Sequence, residues 1–264
     1  MQRFNLEQIR EYWTEQARMH GQSPGASWSD QMVIDLEIRE IVPYLDDGDH
    51  VLDAGCANGY STVQFAAQKR ASFRGVDYIP EMIEQGRKRL EGLAGRLQGT
   101  VQFAVGDIAA LAEPAAAFDK LIVIRVLINL ASRERQLVAL RECARVLKPG
   151  GMLLLSEATM QGWARLNEFR REWGLPDIPM PAFNLYLDQE EIVRAAADEF
   201  ELVRVADFAS TYYVGTRVLK PLLAQALASS VDVANPLMHW NRWCAALPPA
   251  GDYGTQKLFV FRKR

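Results

Sequence analysis

His50-Val-Leu-Asp-Ala-Gly-Cys-Ala-Asn-Gly59 is the stretch that decides the fold. Its first half, His50 to Ala54, reads as a short apolar strand carrying Asp53 near its end. Its second half is a loop of small residues, in which Gly55, Ala57 and Gly59 let the backbone turn tightly and approach a ligand. Downstream the pattern alternates between strand and helix. Ser61 to Lys69 has helical spacing, Ser72 to Asp77 reads as a second strand, and Pro80, favourable at a first helical position, opens a helix to about Leu93. Val101 to Val105 is a third strand. Lys120 to Val126 is a fourth, nearly all apolar as a strand buried on both faces should be. Ser132 is placed to cap a helix to Leu147, and Lys148-Pro-Gly-Gly151 turns into a fifth strand, Met152 to Ser156; Phe200 to Phe208 and Gln256 to Arg262 complete the set. Such alternation implies parallel pairing through right-handed crossovers. The expected fold is α/β, a doubly wound, seven-stranded, mostly parallel sheet.

Working outward, Leu6, Ile9, Trp13 and Ala17 recur at helical spacing until Gly21, and a loop rich in Ser, Pro and Gly follows. Residues 1–29 are expected to form an N-terminal helical lid and residues 30–264 the main domain. Two cap segments are expected at about 159–187 and 209–255; the second includes a helical excursion from Thr216 to Cys244. An insertion of that length before the last strand points to function.

The composition narrows the class. The 264 residues carry 33 acidic and 30 Lys or Arg side chains, a net charge of −3, which argues against a broad basic surface for nucleic acid. Cys56, Cys143 and Cys244 are too far apart in sequence for a zinc or redox-dithiol motif. The N-terminus lacks the apolar stretch of a secretory signal, and the most apolar run, Leu121 to Leu130, is broken by Arg125 and Asn129. The expectation is a cytoplasmic protein without a membrane span, metal or nucleic-acid partner.

In an open parallel sheet, ligands bind beyond the carboxyl ends of the strands at the point where the strand order reverses. Asp53 and its loop follow the first strand. Asp77, eighteen positions after Gly59, ends the second, where a carboxylate can accept both hydroxyls of a ribose. Gly106-Asp107-Ile108 follows the third, where an acid can meet an exocyclic amine. A dinucleotide requires Gly-x-Gly-x-x-Gly, with its pyrophosphate on a helix N-terminus. This loop has Gly-x-Ala-x-Gly, and Asp53 would repel a pyrophosphate while suiting a ligand that bears an ammonium and a sulfonium.

Val51 to Gly59 resembles the first motif of the class I S-adenosylmethionine-dependent methyltransferases. Gly75-Val-Asp-Tyr-Ile-Pro-Glu-Met82 resembles their second, Gly106-Asp107 their third, and Leu147-Lys-Pro-Gly-Gly-Met152 the turn before their fifth strand. Ala57 departs from a common glycine. The resemblance covers about residues 30–160 and 200–263 and implies S-adenosylmethionine as cofactor. It implies that the backbone around Gly55, with Asp53, Cys56, Ala57 and Gly59, holds the methionine moiety, and that Asp77 holds the ribose. Tyr78 or Met82 would pack near the adenine, Asp107 and the Ile108 amide would meet its polar edge, and Arg125 and Val126 would close the amino-acid end. Met82 on a helix equally suits an apolar core.

The methyl acceptor is constrained far less. Tyr12 and Trp13 on the first helix, Tyr186 after the fifth strand, and Tyr212 and Arg217 after the sixth are candidate acceptor-binding residues; Phe183, Asn184, Trp163, Arg165, Arg170 and Tyr213 lie nearby in sequence. Candidate bases are His20, His239 and Glu157, with the alternative for Glu157 of capping backbone groups. The reading is methyl transfer to oxygen or nitrogen of a small-molecule or saccharide-type acceptor. The alternatives are RNA or protein methylation, and a nicotinamide-dependent oxidoreductase on the same sheet.

Overall fold

The structure, a computed structural model, describes residues 3–93, 95–226 and 239–264. Seven strands form one sheet: β1 (His50–Ala54), β2 (Ser72–Asp77), β3 (Thr100–Val105), β4 (Phe118–Ile124), β5 (Leu147–Ala158), β6 (Phe200–Ala206) and β7 (Gln256–Lys263). Their order is β3-β2-β1-β4-β5-β7-β6. The first five are parallel, and β7 runs antiparallel to both β5 and β6. The order reverses between β1 and β4, so the switch point lies at the carboxyl ends of those two strands.

Among the described residues, ten α-helical segments accompany the sheet: α1 (Leu6–His20), α2 (Gln31–Ile41), α3 (Tyr60–Gln68), α4 (Pro80–Glu91), α5 (Arg133–Val146), α6 (Met160–Glu172), α7 (Gln189–Ala196), α8 (Ser210–Tyr213), α9 (Lys220–Ala226) and α10 (His239–Ala246). The sheet divides the core by its pleat. Val51, Ile122, Leu154 and Val260 pack with α2 and α3, whereas their neighbours Leu52, Leu121, Leu153 and Phe259 pack with α5 and α7. Alternate residues point to opposite faces, so a strand covered on both sides must be apolar throughout.

Local chemistry sets the helix ends. Asn5 and Gln8 form a reciprocal capping box at the start of α1, and Gly21, at φ 52°, stops it. Ser132 and Asp188 cap α5 and α7. The fourth strand ends at Ile124, two residues before the expected end, because Arg125, whose N–H still donates to the Ser156 carbonyl, takes a left-handed conformation at φ 55° and turns the chain away. The Lys148–Gly151 turn is incorporated into a longer β5, with a register shift against Phe118 and Lys120. The helical excursion begins at Ser210, earlier than the sequence suggested, and passes through a π-helical turn, Val214–Leu219; its middle lies outside the described residues. Among the described residues, no helix is long and apolar enough to cross a membrane.

Candidate active site

A cavity of about 660 Å³ opens at the switch point, within the range of small-molecule sites. At one end it is lined by Asp53, Gly55, Cys56, Ala57, Asp77 and Tyr78, with Met82, Arg125 and Val126 alongside. These positions lie at the carboxyl ends of β1, β2 and β4 or just beyond them, with Met82 on α4. Gly55, at φ 87°, adopts a conformation that L-residues rarely take, and a Cβ there would overlap the Val126 side chain. Ala57 (φ 48°) and Arg125 (φ 55°) are non-glycine residues in the same left-handed region, so the loops on both sides of the switch point each hold a strained residue. The positive φ at Ala57 gives the physical reason glycine suits that position.

The loop amides are occupied. Gly55 N–H and Cys56 N–H both donate to the Val76 carbonyl, Ala57 N–H donates to Asp77 Oδ2 at 2.9 Å, and Gly59 N–H donates to the Cys56 carbonyl. A pyrophosphate needs such amides free. Their engagement, with Asp53 beside them, disfavours the dinucleotide alternative.

Two buried carboxyls dominate the electrostatics of this end. Asp77 also accepts from Ile79 N–H at 2.9 Å, so each of its oxygens holds one backbone amide and retains a lone pair. Burial pushes its pKa up to about 6 against the pull of those amides. Asp53 accepts from the Thr62 hydroxyl at 2.6 Å; burial pushes it up to about 7, with Asp77 and Glu37 adding repulsion. A cationic ligand would relieve that penalty. Arg125 donates to fully buried Glu37, which also accepts from Ser156 and Gln256, and its guanidinium lies 5.0 Å from the Trp28 ring centroid. The Glu37 network was missed in the sequence. The available signal was a carboxylate set within the apolar stripe of α2.

The other end comes from distant segments. Tyr12, Trp13 and His20 line it from α1, Trp163 and Arg170 from α6, Phe183, Asn184 and Tyr186 from the following loop, and Tyr213 and Arg217 from the turn after β6. Tyr12 stacks on Phe183 with centroids 4.4 Å apart, and Phe4 N–H donates to the Ala182 carbonyl, tying α1 to that loop. Asn58 Nδ2 donates to the carbonyls of Gly21 and Ser23, fastening the segment after α1 to the β1 loop. Met82 is 2% exposed and packs with Ala17, Ala26 and Ile79, so it serves the small core beneath α1 as well as the cavity wall.

Six of the expected site residues do not line the cavity. Gly59, at φ 70°, packs against Phe103, which a Cβ there would overlap. Asp107 accepts from Ala109 N–H and pairs with Arg135 at 3.0 Å, while Ile108 is buried with the α5 side of the core. Glu157 accepts from the amides of Val126, Leu127 and Ile128; it caps that turn, and burial pushes its pKa up to about 8. Tyr212 donates to Asp30 at 2.8 Å behind the wall. His239 is at the exposed start of α10. Of the three candidate bases, His20 alone borders the cavity, from an exposed position. Among the described residues there is no His, Cys, Asp and Glu group suited to a metal ion.

Residues 51–151 match the model of a methyltransferase domain family. The chain is similar to the methyltransferase GfsG of Streptomyces halstedii, 32% identical over 117 residues, covering 44% of this chain and 40% of that protein. It is also similar to the O-methyltransferase cnsE of Penicillium expansum, 29% identical over 140 residues, covering 52% of this chain and 48% of that protein. The chain therefore spans about half the length, or less, of these curated relatives. Its fold is similar to that of magnesium protoporphyrin IX methyltransferase from Synechocystis, solved with bound SAH, at TM-score 0.57 and 18% identity, covering 89% of this chain and 84% of that one. Matched segment, strand order and switch-point loop agree: residues 51–151 match a methyltransferase domain, and the fold around them is similar to that of a solved methyltransferase.

Proposed function

We propose that the chain transfers the methyl group of S-adenosylmethionine to an oxygen or nitrogen of a small-molecule or saccharide-type acceptor. The observation that carries this reading is the pairing of two buried carboxyls, Asp53 and Asp77, with an otherwise aromatic and cationic cavity. They offer a cationic nucleoside two distinct anchors. Asp77, with a free lone pair on each oxygen, suits two ribose hydroxyls. Asp53 and the Gly55 backbone suit the ammonium-bearing methionine end, closed off by Arg125 and Val126. Tyr78 and Met82 suit the adenine face. Asp107 and Ile108, outside the lining, are left out of this assignment.

The sulfonium supplies an activated methyl group, so the protein's task is alignment and exclusion of water. Tyr12, Trp13 and Phe183 form one aromatic cluster between α1 and the loop after α6. That cluster makes residues 1–29 the lid in this reading, and His20 is its candidate base, at the mouth. The presence of an O-methyltransferase among the relatives supports an oxygen acceptor. Isothermal titration with S-adenosylhomocysteine tests the donor assignment. Wild type is expected to bind and Asp77→Ala to lose most of the affinity; equal affinity in the two would overturn it.

A further inference from the structure

Arg170 and Trp163 both line the cavity from α6, seven residues and two helical turns apart. Arg170 is only 7% exposed. Its Nε donates to the Pro176 carbonyl at 2.9 Å and its Nη1 to the Arg217 carbonyl. A guanidinium has five N–H donors, so three remain, more than the pair a bidentate carboxylate takes.

The acids nearby are already engaged. Asp177 pairs with Arg171 at 2.9 Å, and Asp30 pairs with Arg217 at 2.5 Å. Among the described residues, no carboxylate lies within 4.0 Å of Arg170, and the carboxylates that line the cavity, Asp53 and Asp77, lie at the carboxyl ends of β1 and β2, at the donor end. Burying a cation without a counter-ion is costly, and burial does push the Arg170 guanidinium below the ordinary arginine value. Arg217 lies over the rings of Tyr212 and Tyr213, 5.3 and 4.6 Å from their centroids. Arg170 thus lies beside Arg217, whose own carboxylate partner is Asp30, against a wall containing Trp163, Ile178, Phe183 and Tyr186.

We propose that Arg170 is the anion-binding residue of the acceptor subsite, and that the acceptor carries a carboxylate on an aromatic or otherwise apolar body. The inference rests on the donor reading above, because the cavity's other end must be taken by the methyl donor. Wild type, Arg170→Met and Arg170→Lys, each saturated with S-adenosylhomocysteine, would be titrated calorimetrically with a panel of aromatic carboxylates and their matched methyl esters. At least one carboxylate is expected to bind wild type ten-fold or more tightly than its ester. That ratio is expected to fall below two-fold in Arg170→Met and to be intermediate in Arg170→Lys, with the affinity for S-adenosylhomocysteine unchanged in both. Should the methionine variant not fold, Arg170→Gln, which retains an N–H donor without the charge, gives the same comparison. A panel in which no carboxylate outbinds its ester, or a ratio that survives loss of the charge, overturns the proposal. Aryl phosphates form a further arm, and their outbinding every carboxylate would overturn the carboxylate assignment. Failure of wild type to bind S-adenosylhomocysteine, read before any acceptor is added, would instead remove the donor reading.

Discussion

At one end of the cavity the lining residues follow the strands in order: Asp53 near the end of β1 and Gly55 after it, Asp77 at the end of β2, Arg125 and Val126 after β4. At the other end Tyr12, Trp163, Tyr186 and Arg217 come from segments with no register relation to one another. The first end is set by hydrogen-bonded parallel ladders, which hold the ends of β1, β2 and β4 beside one another. The second is held by side-chain packing between α1, α6, the loop after it and the turn after β6. A change at the first end therefore acts on ligand geometry and on the fold together. A change in the aromatic part of the second acts on the wall and on the helix it packs against.

The largest expected effect lies at the strand ends. On the proposed donor pose, Asp77→Ala removes the acceptor for two ligand hydroxyls, and it orphans the Ala57 and Ile79 amides; about 3 kcal/mol, roughly 100-fold in S-adenosylhomocysteine affinity, is expected by calorimetry. Gly55→Ala places a Cβ against Val126 in a left-handed conformation and should cost about 2 kcal/mol of folding stability in urea. Gly55→Ala with Val126→Ala should recover the steric part, and a Gly55→Ala protein as stable as wild type would break the claim that this end is geometrically fixed.

The pH dependence sharpens the same contrast. The Asp53 carboxyl, pushed up to about 7 by burial, is protonated in the free protein at mildly acid pH. Binding an ammonium favours its ionised form, so binding releases a proton and affinity rises with pH until about 7, then levels. Roughly ten-fold tighter binding of S-adenosylhomocysteine is expected at pH 7.5 than at 5.5, and Asp53→Asn should flatten the profile. A flat profile in wild type would remove Asp53 from the ammonium site. Folding stability without ligand runs the other way. A carboxyl whose folded pKa exceeds its unfolded value holds more protons when folded, so the contribution of Asp53 falls as pH rises from about 4 to 7.

The smallest effect is expected in the aromatic wall. Phe183→Ala removes the stack with Tyr12 and should loosen α1 by about 1 kcal/mol, seen as roughly five-fold faster amide exchange in Leu6–His20. Donor affinity should change by less than two-fold. A loss as large as that of Asp77→Ala would show that the two ends are not separable.

Much of the sheet was legible. The limits of β1 and β2 read off correctly because an apolar run bounded by polar and small residues has few other ways to fold. The fourth strand was overextended because Val126 continues the apolar run, and nothing local marks Arg125 as the residue that turns left-handed. Glu157 fell at the strand end that a base would occupy. Its three amide partners at residues 126–128 are about thirty positions earlier in the chain, and no local pattern reveals them. Asp107 was read correctly as following β3, while its partner Arg135 comes from α5.

The sequence by itself determined the switch-point loop, the carboxylates after the first two strands and the order of alternation, because these depend on spacing within single strand–loop–helix units. Tertiary structure alone decided that Asp53 and Asp77 share one buried wall, that Glu37 is the partner of Arg125, and that Arg170 has no carboxylate within 4.0 Å among the described residues. Charge pairing in a core depends on which segments meet, and those contacts join residues tens to nearly two hundred positions apart, beyond the reach of any periodicity in the chain.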